Sequence, residues 1–176
     1  MTKKILAFGA SSSKKSINKQ LATYASHLFE NASVEILDLN DYEMPIYSMD
    51  KEKEDGIPQL AQDFFQKLGE SNLIVISFAE HNGAYTSSFK NIFDWISRIN
   101  GKTFQEKPML LLATSPGARG GSSVLEIANK RFPFQGGLVK GSFSLPNFND
   151  NFDAEKGIVN EDLKSDLLKI INSIQF

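Results

Sequence analysis

Leu73-Ile74-Val75-Ile76-Ser77-Phe78 is a short run with apolar side chains on both faces of an extended chain, and Met109-Leu110-Leu111-Leu112-Ala113 repeats the pattern further on. A strand that is apolar on both faces must be covered on both, as the strands of a parallel sheet between two helical layers are. Outward from these two runs lie Lys4 to Phe8, Val34 to Leu39, and a weaker candidate, Leu138 to Leu145, interrupted by Gly141. The intervening stretches carry helical periodicity. Ile17, Leu21, Tyr24, Ala25 and Leu28 share one face, as do Ile57, Leu60, Ala61, Phe64, Phe65 and Leu68. Phe89 to Ile99, Val124 to Phe132 and Leu163 to Ile174 repeat the spacing, so five strands and five helices alternate strictly on this reading.

Parallel strands joined by right-handed helical crossovers, at this length, predict a flavodoxin-like three-layer α/β/α sandwich with a five-stranded parallel sheet in the order 2-1-3-4-5. No internal repeat or low-complexity tract divides the chain, which reads as one domain over residues 1–176. The charged cluster Asp50 to Asp55, closed by Gly56 and Pro58, reads as a solvated loop leading into the second helix.

Composition narrows the function. The 176 residues carry 21 acidic and 19 basic side chains, for a formal net charge of -2, which supplies no positive field for nucleic acid or anionic lipid. The absence of cysteine removes disulfides, thiolate nucleophiles and cysteine-held metals, so redox chemistry would have to come from a bound cofactor. Two histidines far apart in sequence make no metal site, and there is no G-x-S-x-G elbow. The apolar stretch after Lys3 and Lys4 breaks at Gly9, too early for a secretory signal, and no apolar run approaches the roughly 20 residues of a membrane span. A cytoplasmic location is the expectation.

Ligands of open α/β sheets sit beyond the carboxyl ends of the strands. Three loops there are unusual. Gly9 to Asn18, GASSSKKSIN, packs hydroxyls and an amide onto the turn that opens a helix, a composition that suits a phosphate; Ser16 alone would equally serve as a helix cap. Neither G-x-G-x-x-G nor G-x-x-x-x-G-K-[ST] is present, so dinucleotide-fingerprint and Walker-type readings fail. Ala79 to Ser88, AEHNGAYTSS, puts a carboxylate, an imidazole and an amide before Gly83, with Asn82-Gly83 as a type I or II turn or as a place where a flat ring meets the backbone. Thr114 to Gly121, TSPGARGG, strips side chains from the crest of the sheet, or is simply the turn before a helix starting near Ser122.

Together the three loops resemble those of the NADPH-dependent FMN reductases, a flavodoxin-like family that includes quinone, chromate and azo-dye reductases. Its phosphate segment, G-S-x-R-x-x-S-x-N, is similar to Ala10 through Asn18, with Ser11, Ser16 and Asn18 matching, Ala10 in place of glycine and Ser13 in place of arginine; Lys14 or Lys15 stands near enough to supply the missing charge. Its P-E-Y-N-G…L-K-N-x-I-D-W run is matched by Glu80, Asn82, Gly83, Lys90, Asn91, Asp94 and Trp95, with His81 replacing the tyrosine. Its S-P-G-x-x-G-G is matched by Ser115, Pro116, Gly117, Gly120 and Gly121.

The resemblance implies FMN held by Ser11, Ser13, Ser16, Ile17, Asn18, Glu80, His81, Asn82, Gly83, Ser115, Pro116, Gly117 and Gly120, with NADPH or NADH as donor. It implies ping-pong transfer of hydride to the flavin and then to a small acceptor such as a quinone, azo compound, metal ion or free flavin. Backbone amides would stabilise the reduced ring, and His81 is the one side chain placed to protonate the acceptor. It also implies a homodimer or homotetramer built on the helix from Ser88 to Ile99, where Trp95, off the main apolar stripe, either widens the hydrophobic surface or simply caps the core. His27 reads as a helix-surface residue. The competing readings are a flavodoxin-like electron carrier, against which stand the missing T-x-T-G-x-T loop and the near-neutral charge, and a non-catalytic module of the same fold, which the missing arginine at Ser13 would favour.

Overall fold

The computed structural model describes residues 2–176. In chain order the elements are β1 (Lys3–Ala10), α1 (Ile17–His27), β2 (Ala32–Leu37), α2 (Met49–Asp55), α3 (Gln59–Glu70), β3 (Leu73–Phe78), β4 (Glu80–His81), β5 (Ala84–Tyr85) and α4 (Ser87–Ile99). There follow β6 (Lys107–Thr114), α5 (Ser122–Arg131), β7 (Gly137–Leu145), α6 (Phe148–Asn151), β8 (Phe152–Asp153), β9 (Gly157–Ile158) and α7 (Glu161–Ser173). The large sheet runs β2-β1-β3-β6-β7, all parallel, which is the expected 2-1-3-4-5 when its own five strands are counted.

The two-residue period of the strands sorts their side chains between two cores. Leu6, Phe8, Ile74, Ile76, Phe78, Met109 and Leu111 face a layer made by α3, α4 and α5, with Phe64, Phe89, Phe93 and Val124 among its contributions. Ile5, Ala7, Leu73, Val75, Leu110 and Leu112 face α1 and α7, meeting Leu21, Ala25, Leu167 and Ile171. Every residue of β3 is buried, as its double-faced apolarity requires.

Departures from the sequence reading have local causes. The second strand is Ala32–Leu37, shifted from Val34 to Leu39, because the Asp38 carboxylate accepts from the Asn40 amide and starts a 3₁₀ turn over Leu39–Tyr42. The charged cluster Asp50 to Asp55 is not a loop but helix α2: Ser48 caps it by accepting from the Lys51 amide, and Gly56 closes it at φ 76°. Strict alternation fails there, and again at α6 and the two small hairpins. Gly141, which weakened the last strand, lies within β7 where a Cβ would come 2.4 Å from Ile170 Cγ2, so it admits α7 against the sheet edge. Of the two readings of Trp95, the core one holds and the widened outer surface does not. The residue is 1% exposed, stands edge-on to Tyr47, and donates from Nε1 to the Pro45 carbonyl at 2.7 Å, tying the loop after β2 to α4.

Candidate functional site

The loop after β1 is built to bring α1 close beneath it. A Cβ on Gly9 would sit 2.4 Å from the Lys19 amide nitrogen and 2.9 Å from the Asn18 carbonyl carbon, so only glycine lets the strand end pass the helix start. Ser16 is the α1 cap, its Oγ accepting from the Lys19 amide at 3.1 Å. The loop closes on itself: the Ser13 amide donates to Ser11 Oγ, and the Ser16 amide donates to the Ser13 carbonyl. No hydrogen bond within the described residues engages the amides of Ile17 and Asn18, which stand in the first turn of the helix.

Asn18 does more than line the loop. Its buried carboxamide accepts at Oδ1 from Ser77 Oγ (2.7 Å) and the Thr114 amide (3.1 Å), and donates from Nδ2 to the Thr114 carbonyl (3.1 Å). One side chain therefore clamps the ends of β3 and β6 to the first turn of α1.

The second loop is a two-residue hairpin, β4 and β5, turning on Asn82 (φ 52°) and Gly83 (φ 78°). Positive φ at both positions excludes the expected type I or II turn and makes it type I′, the form whose twist suits adjoining antiparallel strands. Glu80 is aimed away from the first loop: its Oε2 accepts from the Val124 amide at 3.0 Å, capping the first turn of α5 with a negative charge. Tyr85, at the far end of the hairpin, lies among Phe78, Phe89, Phe93 and Phe132, and burial there pushes its phenol well above the usual range. In the third loop the Gly117 carbonyl accepts from the amides of Gly120 and Asn147, and Gly120, at φ 55°, has no room for a Cβ against Ser144 Oγ at 2.4 Å.

The three loops enclose one cleft of about 300 Å³, the low end of the range for small-molecule sites. Of the expected site residues, Ser11, Ser13, Ser16, Ile17, Asn18, Glu80, His81, Ser115 and Pro116 line it. Asn82, Gly83, Gly117 and Gly120 lie in the flanking turns and do not form its wall. Lys15, Ala79 and Thr114 line it as well. Of the two lysines offered as the replacement cation, Lys15 lines this cleft and Lys14 does not; Lys19 is held by Asp38 at 2.6 Å. His81 is exposed on the rim, and His27 is exposed on α1 with Nδ1 on the Thr23 carbonyl.

This donor set suits a phosphate ester. Two free helix amides, the hydroxyls of Ser11, Ser13 and Ser16, and the Lys15 ammonium converge, while the one carboxylate of the cleft is turned to a helix terminus. A flavodoxin-like sheet with such a cleft at the carboxyl ends of β1, β3 and β6 defines a mononucleotide-binding protein of the flavodoxin class.

Comparison with known proteins gives the family. Residues 3–150 match the NADPH-dependent FMN reductases, and the chain belongs to that family of FMN- and NAD(P)H-dependent oxidoreductases. It is 32% identical, over 87% of its length and 93% of the other's, to an uncharacterised protein of Mycoplasma pneumoniae. It is 28% identical to the NADPH:quinone oxidoreductase of Arabidopsis thaliana, over 81% of this chain and 72% of that one. Its fold is shared with the flavoenzyme NAD(P)H:(acceptor) oxidoreductase FerB of Paracoccus denitrificans, at TM-score 0.77 and 21% identity over 97% of this chain and 93% of that one.

Proposed function

We propose that the chain carries hydride from NAD(P)H to a small acceptor, a quinone being the leading class, through FMN held in the three-loop cleft, in a ping-pong sequence. The observation that supports this reading is the convergence of Ser11, Ser13, Lys15, Ser16, Ile17 and Asn18 on one cleft, as the phosphate cradle of a family whose cofactor is FMN. When bound, FMN supplies the two-electron chemistry, accepting hydride from nicotinamide and passing electrons to the second substrate.

The residues do the holding. The amides of Ile17 and Asn18 and the Lys15 charge bind the phosphate; the Asn18 carboxamide fixes the three loops relative to one another. Asn82-Gly83, Ser115, Pro116, Gly117 and Gly120 supply backbone at the ring end. His81, the one imidazole of the cleft, stands at its open rim and is placed to deliver a proton to the acceptor.

The reading extends to assembly and place. The exposed Ile46 (77%) and Met49 (62%) flank the loop tied to α4 by Trp95, an apolar patch consistent with a dimer or tetramer through that side; light scattering at increasing concentration tests it. No helix among the described residues is long and apolar enough to cross a membrane, and a cytoplasmic location fits the donor; cell fractionation tests that.

The deciding experiment is visible absorbance of the purified protein with FMN, followed by anaerobic NADPH or NADH. Flavin bands that bleach within the mixing time and return with a quinone are expected. Bound flavin that nicotinamide leaves oxidised overturns the reductase reading, and failure to bind FMN at all overturns the site.

A further inference from the structure

The third loop uses its two kinds of backbone group unequally. The carbonyls of Ser115, Gly117, Arg119 and Gly120 all accept hydrogen bonds, whereas the amides of Gly117, Ala118 and Arg119 donate to nothing among the described residues and stand in the exposed part of the loop. Three of those carbonyls are engaged from one side. Beyond the end of β7, the Asn147 amide donates to Gly117 at 3.0 Å and the Phe148 amide to Ser115 at 3.1 Å, while the Ser144 hydroxyl donates to Gly120 at 2.9 Å. The Gly117 carbonyl accepts twice more, from the Gly120 amide and the Ser115 hydroxyl.

The bracing segment is itself anchored. Phe148 is buried in the core under α1 and α7 and stacks on Phe152 at 4.7 Å, and Asn151 donates from Nδ2 to the Pro146 carbonyl at 2.9 Å. Asn147 makes the geometry possible: it holds φ 46° and ψ 58°, a left-handed conformation that asparagine tolerates better than most residues, and its side chain does not cap α6. What the position contributes is the path of its backbone. Because β6 lies between β3 and β7, a third-loop carbonyl drawn toward the β7 side belongs to a trans peptide whose N–H faces the β3 side, where the three-loop cleft opens. The Ala118 amide shares its peptide with the carbonyl that accepts three bonds, and is both aimed and polarised by them.

We propose that Ser144–Phe148 is a positioning segment that raises the reduction potential of bound flavin, by turning third-loop amides toward the ring edge that becomes electron-rich when FMN takes up hydride. The inference rests on the proposed FMN site. Donors fixed in advance where negative charge develops stabilise the reduced form more than the oxidised one, and the ratio of the two affinities is the shift in potential.

The test is potentiometric titration of the FMN-loaded protein against a reference dye, with affinity for oxidised FMN read by quenching of flavin fluorescence. In Asn147→Ala the backbone is expected to leave the left-handed region and release Gly117. Reduced FMN should then bind about tenfold more weakly relative to oxidised FMN, a potential more negative by about 30 mV for a two-electron couple. Asn147→Gly, which adopts the same backbone without strain, is expected to keep the native potential. Ser144→Ala removes one bond and leaves the backbone alone, and is expected to move the ratio in the same direction by about threefold. A purely structural segment would weaken oxidised and reduced FMN alike; that outcome, a potential unmoved in both alanine variants, or an equal shift in Asn147→Gly overturns the inference. FMN that binds with a potential indifferent to these substitutions defeats this assignment alone, and native protein that fails to bind FMN defeats the functional reading beneath it.

Discussion

At the scale of single residues, Asn18 shows how a family signature can mark a clamp as well as a ligand. Its position was legible as a phosphate-loop match, but its three bonds were not, because Ser77 and Thr114 are distant in sequence and only the fold brings them together. Asn18→Ala leaves a buried hydroxyl and a buried amide without partners, and about 2–4 kcal/mol of stability should be lost, read as a shift of the urea midpoint at unchanged m-value. Glu80 teaches the same lesson: its match to the family run was plain, and its partner, the Val124 amide, was invisible until α5 was placed. Tyr85 makes the opposite case. Its hydroxyl is buried with no hydrogen-bond partner among the described residues, so Tyr85→Phe should leave the melting temperature unchanged or raise it, with a gain of up to about 1 kcal/mol. A clear fall would mean that the phenol has a partner, such as an ordered water.

At the scale of elements, the strands most visible in the sequence were those buried on both faces, since their apolarity leaves no other arrangement. The edge strand β2 is only half-buried, and its end was set by the Asp38 turn, a side-chain to backbone contact that hydrophobic pattern does not encode. Helix α2 was missed because it has no buried residue and therefore no stripe; its signals were the Ser48 cap, acids in its first turn and the Gly56 stop. The junction of β1 and α1 gives the sharpest test at this scale. In Gly9→Ala the new methyl meets helix backbone, which cannot step aside as a flexible side chain would, so α1 must move. Stability should fall by about 1–3 kcal/mol and FMN affinity by tenfold or more, whereas Gly83→Ala, whose Cβ would meet nothing within 4 Å, should incur only the strain of alanine at φ 78° and leave the cleft wall in place.

At the scale of the whole molecule, the lower edge of the sheet is held by charge. Glu35 on β2 pairs with Lys4 on β1, at 2.8 Å, and with Lys67 on α3, and those two ammonium groups hold its carboxyl below the usual range. A carboxyl whose folded-state pKa is depressed contributes stability above its unfolded value, about 4.3, and loses it as pH falls through the folded value. Acid unfolding should therefore steepen below about pH 4.3, and Glu35→Gln should flatten that limb while lowering stability at neutral pH, as chemical denaturation at several pH values will read. The sandwich, its strand order and the three loops were readable from pattern and motif. That Lys15 lines the cleft while Lys19 pairs with Asp38 was not readable from the run of lysines, because it depends on the loop's path. The Asn18 clamp has a last consequence. Loops fixed to one another while the chain folds have little freedom left to surrender to an incoming flavin, so the entropic toll of ordering falls on folding and not on association. Amide exchange at Ile17, His81 and Ser115 should then slow only where a donor becomes directly covered, with no wave of protection spreading through the three crossovers.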